Sequence, residues 1–178
     1  KSEAIIKQLS LKTIGIDVAS HDELVSALRG GFTGNRLEAT GPKSAKFLRL
    51  ALQHGAIIAV DSMDELLLIE NLMRHLTCPK VQILLRVCSF SSTHTKIQAK
   101  DTRFGVDIKK IETYYRWLRE RTQIELIGLS FHLNAANAQE KMIAIEHSLT
   151  ALTQAASYGL SPTVLNIGGG FRVSYIES

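Results

Sequence analysis

Cysteine, proline and tryptophan are scarce in these 178 residues: two, three and one, respectively. Two cysteines, Cys78 and Cys88, are too few for a disulfide framework and form no Cys-x-x-Cys pair. They read as buried thiols in a reducing compartment. With 3 prolines and 12 glycines, the chain is neither collagen-like nor a low-complexity linker. No sign of charge dominates: 21 cations against 17 anions leave a net +4. That balance does not by itself imply nucleic acid, which is not expected as a partner, but it suits a small acidic or phosphate-bearing ligand. Long apolar runs are absent too. The longest, 56–60, has five residues, whereas a membrane-spanning helix needs about 20. No apolar segment of the secretory kind follows Lys1, so the expected location is the cytoplasm, away from membranes. The chain opens on lysine, not methionine, and is expected to be part of a longer polypeptide.

What is present is the composition of a globular protein, 45% hydrophobic and 21% charged. Short apolar segments alternate with amphipathic ones. Strands are predicted at 13–18, 37–40, 56–60, 81–87, from 124 toward a polar turn at 133, and at 163–167. Helices are predicted from Ser20 or Asp22 to Arg29, at 43–53, from an Asp61-Ser62 cap to about His75, at 108–121 and at 138–158. The strands are nearly continuous apolar runs, as expected when both faces are covered in a parallel sheet. Strict alternation gives an α/β fold, either doubly wound or a barrel. A full (β/α)8 barrel takes about 250 residues, so six strands amount to a partial one. Ser89–Lys100, polar and following a strand end, reads as either an active-site loop or a plain surface loop.

Polar residues cluster where strands end: Asp17 and Ser20, Thr40 and Lys43, Asp61, Arg86, His132, and Gly168-Gly169-Gly170. In such folds the C-terminal strand ends build the active site. Three successive glycines let backbone N–H groups approach an anion. Their spacing matches neither the dinucleotide fingerprint nor the P-loop. His132, where an apolar strand reaches the rim, reads as a packed core histidine, a ring stacked on a planar cofactor, or an acid/base. Arg86, at the end of Leu84-Leu85, requires a buried anion, either Asp17 or a ligand oxygen. Asp61-Ser62 with Glu65 also reads as a simple helix cap. Tyr114-Tyr115-Arg116-Trp117 reads as a packed aromatic stripe with a solvated basic face. The histidine spacings give no metal site.

Taken together, these segments resemble the fold-type III pyridoxal-phosphate decarboxylases, the ornithine, diaminopimelate and arginine decarboxylase group. The resemblance lies in Gly15-Ile16-Asp17-Val18-Ala19-Ser20 with Glu23-Leu24, Gly41-Pro42-Lys43, Val60-Asp61-Ser62 with Glu65-Leu66, and Leu84-Leu85-Arg86. It continues in Arg103-Phe104-Gly105, Gly128-Leu129-Ser130-Phe131-His132 and Leu165-Asn166-Ile167-Gly168-Gly169-Gly170-Phe171. The wording around Thr40-Gly41-Pro42-Lys43 and Phe131-His132-Leu133-Asn134 is similar to the Y4yA-like branch.

The resemblance implies the middle of a pyridoxal-phosphate-binding (β/α)8 barrel over 1–178, with the first and last strands and a C-terminal β domain lying outside. It implies decarboxylation of a basic or dibasic amino acid by the whole protein, with the segment alone inactive, and a homodimer. It implies that His132 stacks on the pyridine ring and that Gly168, Gly169 and Gly170 bind the phosphate. Asp17 and Arg86 would stand near the Schiff-base lysine, itself expected just before Lys1. Leu133-Asn134-Ala135 replaces the family's Val-Gly-Ser and removes one hydroxyl from the phosphate site. A racemase of the same barrel class, a barrel that binds the cofactor without catalysis, and a phosphosugar-binding barrel are the alternatives.

Overall fold

The computed structural model of the protein describes residues 2–76, 80–91, 104–134 and 136–170. It alternates strands β1 (Ile16–Val18), β2 (Leu37–Ala39), β3 (Ile57–Val60), β4 (Val81–Cys88), β5 (Val106–Asp107), β6 (Ile124–Ser130) and β7 (Val164–Asn166) with helices. The helices are α1 (Glu3–Ser10), α2 (His21–Arg29), α3 (Ala45–Gln53), α4 (Met63–Met73), α5 (Ile111–Leu118) and α6 (Ala138–Ala155). Every strand pairing is parallel, in the order β1-β2-β3-β4-β6-β7, with β5 added to the end of β4. The expected six-stranded partial barrel is the architecture found. Its curl shows in one contact: Asn166 on β7 donates to Glu38 on β2 at 3.0 Å, although β3, β4 and β6 lie between them in the sheet. A flat sheet would hold those strands too far apart.

The strands read as apolar runs because both faces are covered. Ile58, Ala59 and Val60 are fully buried, as are Ile83 and Leu85. One core joins β3, β4 and β6 to α4, α5 and α6; a second joins β1 and β2 to α1, α2 and α3. Each buried Leu, Ile or Phe contributes about 2 kcal/mol of apolar burial. Tyr115 belongs to the first core, with its hydroxyl donating to the Ala151 carbonyl at 2.9 Å. Arg116 on the same helix pairs outward with Glu112, as the stripe-and-face reading expects.

Several expectations are corrected. The sequence pattern missed α1, an eight-residue helix whose Ile6 enters the second core. It also missed β5, too short at two residues for periodicity to register. The 108–121 helix is a 3-10 turn (Ile108–Lys110) followed by α5. Ser20, not Asp22, caps α2 by accepting the Glu23 N–H. Cys88 is a buried thiol, and burial pushes its pKa up. Cys78, Arg103, Ala135, Phe171 and the loop from Ser92 onward lie outside the described residues.

Candidate functional site

A cavity of about 350 Å³ opens at the C-terminal strand ends. It is lined by Asp17 and Ala19 after β1, Glu38, Thr40 and Gly41 along and after β2, and Arg86 on β4. Ser130, Phe131 and His132 come from the end of β6, and Asn166, Gly168 and Gly169 from β7 and its turn. Asp17, Arg86, His132, Gly168 and Gly169, all picked out from the sequence, thus meet at one site. A larger hollow of about 510 Å³ lies at the other end of the strands, around Glu70, Arg121 and Gln123; no expected site residue lines it.

The glycine turn is built against the end of β6. Gly168 has φ +60°, and a side chain there would collide with the Phe131 carbonyl; Gly170, at φ +76°, would meet the Leu133 carbonyl in the same way. Only glycine fits both the dihedral and the space. The His132 ring stands beside this turn, and its Nε2 lies 2.7 Å from Asn134 Oδ1. Beneath the turn, the buried Lys141 of α6 donates from Nζ to the carbonyls of Ile167 at 3.0 Å and Gly169 at 2.6 Å. Gly168 gives its N–H to Asn166 Oδ1 at 2.9 Å. In this arrangement that N–H is engaged within the chain.

Lys43 and Asp61, also expected at the site, do not line the cavity. They form a buried ionic knot behind Arg86. The Lys43 side chain is fully buried. Its Nζ donates to the carbonyls of Gly41 (2.6 Å) and Ala59 (2.7 Å) and lies 3.1 Å from Glu65 Oε1 and 3.6 Å from Asp61 Oδ2. Arg86 Nη1 is 3.7 Å from Asp61 Oδ1. Asp61 therefore supplies an anion to Arg86. The Asp61-Ser62-Glu65 segment is both a cap and a charge site, with Ser62 as the cap and Asp61 as the charge. Burial raises the Glu65 pKa, against the lowering pull of Lys43.

Four site residues escaped sequence reading. Glu38 stands in a three-residue strand whose neighbours Leu37 and Ala39 are buried; that alternation was the available signal. Its carboxyl is pushed up to about 7 by burial and by Asp17, its register partner on β1. Ser130 and Asn166 are ordinary strand-end letters. Lys141 sits in a helix whose spacing gives no hint of it.

Among the described residues, the buried Ser130 Oγ has no hydrogen-bond partner. A buried hydroxyl without a partner is costly, and this one belongs to a residue lining the cavity. An orphan hydroxyl beside a turn with room only for glycine fits a polar ligand with an anionic group.

The sequence pattern of the family described as pyridoxal-dependent decarboxylase, pyridoxal binding domain, matches residues 1–178. The chain belongs to that family. Pyridoxal phosphate is its cofactor, and the cradle-like turn and orphan hydroxyl suit one. Among relatives, the chain is 31% identical over 180 residues to an uncharacterized protein, y4yA, of Sinorhizobium fredii, covering 99% of the chain and 37% of that protein. It is 30% identical over 187 residues to diaminopimelate decarboxylase of Bacillus subtilis, covering 99% and 42%. It also superposes on a solved point variant of diaminopimelate decarboxylase from Helicobacter pylori, complexed with L-lysine. That match has a TM-score of 0.80 and 25% identity, and covers 99% of this chain and 46% of that one. The chain thus spans about two-fifths of the length of the curated relatives it matches. The decarboxylase resemblance and its Y4yA-like colouring are both borne out.

Proposed function

We propose that the protein carrying this chain is a pyridoxal-phosphate-dependent decarboxylase of a basic or dibasic amino acid. The observation that carries the reading is the convergence of Asp17, Arg86, His132 and the glycine turn on one strand-end cavity in a chain of this family. When bound, pyridoxal phosphate supplies an electron sink for the charge left at the α-carbon as the carboxyl departs as CO2.

The chain's residues supply position and field. The N–H groups of Gly169 and Gly170 and the Ser130 hydroxyl are the donors we assign to the cofactor's oxygens. His132, next to the turn, offers a ring face to a planar group. Arg86 keeps a fixed positive charge at the cavity because Asp61 and the ring of Phe104, 5.4 Å from its Cζ, hold its guanidinium. Asp17 adds an acidic group to the cavity lining, suited to hold an amine in its charged form. Relatives named for diaminopimelate and ornithine support a substrate with a second amino group. By likeness to the family, the whole protein works as a homodimer. No helix among the described residues is long and apolar enough to cross a membrane.

The test uses the full-length protein. It is incubated with pyridoxal phosphate, reduced with borohydride to fix the cofactor onto the lysine that holds it, and mapped by mass spectrometry. One modified lysine, together with CO2 release from diaminopimelate, ornithine, lysine or arginine, is the expected result. A modified lysine without CO2 release points to the racemase or the non-catalytic barrel. The absence of any modified lysine overturns the reading.

A further inference from the structure

Asn166 joins two sides of the cavity wall. Its Nδ2 lies 3.0 Å from both oxygens of Glu38 on β2, and its Oδ1 accepts the Gly168 N–H at 2.9 Å. A carboxyl on one side of the barrel is thus linked, through one side chain, to the first glycine of the turn on the other. Lys141 fixes the same turn from beneath by holding the Ile167 and Gly169 carbonyls. In a trans peptide the carbonyl and the next N–H point in opposite directions. Carbonyls drawn toward α6 therefore turn the N–H groups of Gly168 and Gly170 away from it. For Gly168 that direction ends on Asn166.

We propose that Glu38 is a positioning residue for this turn: acting through Asn166, its carboxyl governs whether the Gly168 N–H is held within the chain or offered to a phosphate group in the cavity. The inference rests on the phosphate-binding reading of the turn given above.

The physical basis is a short polarised chain. An ionised Glu38 makes the Asn166 Nδ2 bonds charge-assisted, and therefore stronger. Polarising the amide makes its oxygen a better acceptor, so Gly168 is held. The same carboxylate also sets a negative charge against an incoming anion. Protonation removes both effects, so the neutral acid favours phosphate and the carboxylate opposes it.

The groups around Glu38 set the balance. Asp17, its register partner on β1, opposes ionisation; Lys43 from the β2–α3 turn and Asn166 from β7 favour it. Arg86 from β4 and His132 beyond β6 share the cavity. Burial is the largest influence and, with Asp17, pushes the carboxyl up to about 7. Both forms are then populated near neutrality.

The full-length protein, labelled with 15N-glycine and free of ligand, tests the coupling. The Gly168 amide resonance is expected to shift with pH around a midpoint near 7 in the wild type and to stay flat in Glu38→Gln. A second measurement compares binding of inorganic phosphate and of pyridoxal phosphate at pH 6 and pH 8. Wild-type affinity is expected to fall about tenfold more than that of Glu38→Gln, the loss of one charge-assisted bond being of that order. The phosphate's own ionisation, near pH 6, is common to both proteins and cancels.

Asn166→Ala is expected to erase the difference between Glu and Gln at position 38, and it serves as the second variant if Glu38→Gln fails to fold. A Gly168 amide that does not titrate, identical pH profiles, or a difference that survives in Asn166→Ala overturns the proposal. Titration of Gly168 without binding of either phosphate compound upholds the coupling and overturns the phosphate reading of the turn.

Discussion

The chain turns from strand to helix at two corners written in nearly the same letters: Ala19-Ser20-His21-Asp22-Glu23-Leu24 after β1 and Asp61-Ser62-Met63-Asp64-Glu65-Leu66 after β3. The local geometry repeats as well. Ser20 and Ser62 each accept the N–H of the glutamate three residues on, both at 3.2 Å. Glu23 and Glu65 each reach back to the N–H of the residue before the serine, at 2.9 and 2.8 Å. Leu24 and Leu66 are both fully buried. The difference lies in the residue before the cap. Ala19 lines the cavity and carries no charge, whereas Asp61 presents a carboxylate to Lys43 and Arg86. One local device thus starts two helices, and a single letter beside it turns the second corner into the anchor of the site's fixed charges.

The largest expected effect breaks the second corner alone. Lys43→Met keeps the buried stem but leaves the Glu65 carboxylate without its cation and Asp61 with Arg86 alone. Removing one partner of a buried ion pair costs about 3–5 kcal/mol, and urea unfolding should show a loss of that size. A loss below about 1 kcal/mol would mean that the knot is already solvated and that the two corners are energetically alike.

The first corner has a half-buried acid beside it, one strand away in Glu38. Its pKa rises from 4.5 to about 7 on folding, so the fold favours the protonated acid. The stability this contributes is fully present below pH 4.5 and is lost as pH rises through about 7. The loss is on the order of 3 kcal/mol. Wild type should therefore lose about that much relative to Glu38→Gln over this range in denaturant titrations. Parallel pH curves for the two proteins would show that the Glu38 carboxyl is not shifted by the fold.

How far these corners were legible in the sequence follows from the range of the forces involved. Both caps could be read because a cap is completed within four residues. The strand-end cluster of Asp17, Arg86, His132 and the glycines could be read because parallel α/β order brings strand ends together. The partner of Arg86 could not. Asp61 meets it only because β3 and β4 are neighbours, and the same sequence allowed Asp17 in that role. Glu38 and Asn166 were missed for a related reason: their bond depends on the curl of the sheet, which no local pattern encodes.

Transplanting the deciding letter sharpens the comparison further. Ala19→Asp would set a carboxylate in the cavity beside Asp17 and Glu38, whereas Lys43 already faces Asp61 and Glu65 at the other corner. A third acidic group in that space should weaken pyridoxal-phosphate binding about tenfold, a cost of about 1.4 kcal/mol, as read by equilibrium titration of the full-length protein. Unchanged affinity would place Ala19 outside the field felt by the ligand.

The smallest effect tests what the corners share. Ser20→Ala and Ser62→Ala each delete a hydroxyl that accepts one helix N–H, and each should cost about 1 kcal/mol. The glutamate's reach back to the preceding N–H is left in place in both variants, so the two losses should agree closely. Equal losses in thermal unfolding would show that the caps act locally and that the ionic knot is an addition to the second corner, not part of its cap. If Ser62→Ala costs about 2 kcal/mol more than Ser20→Ala, the cap and the knot are coupled. The route would run through Glu65, whose two oxygens serve the Asp61 N–H and Lys43 at once.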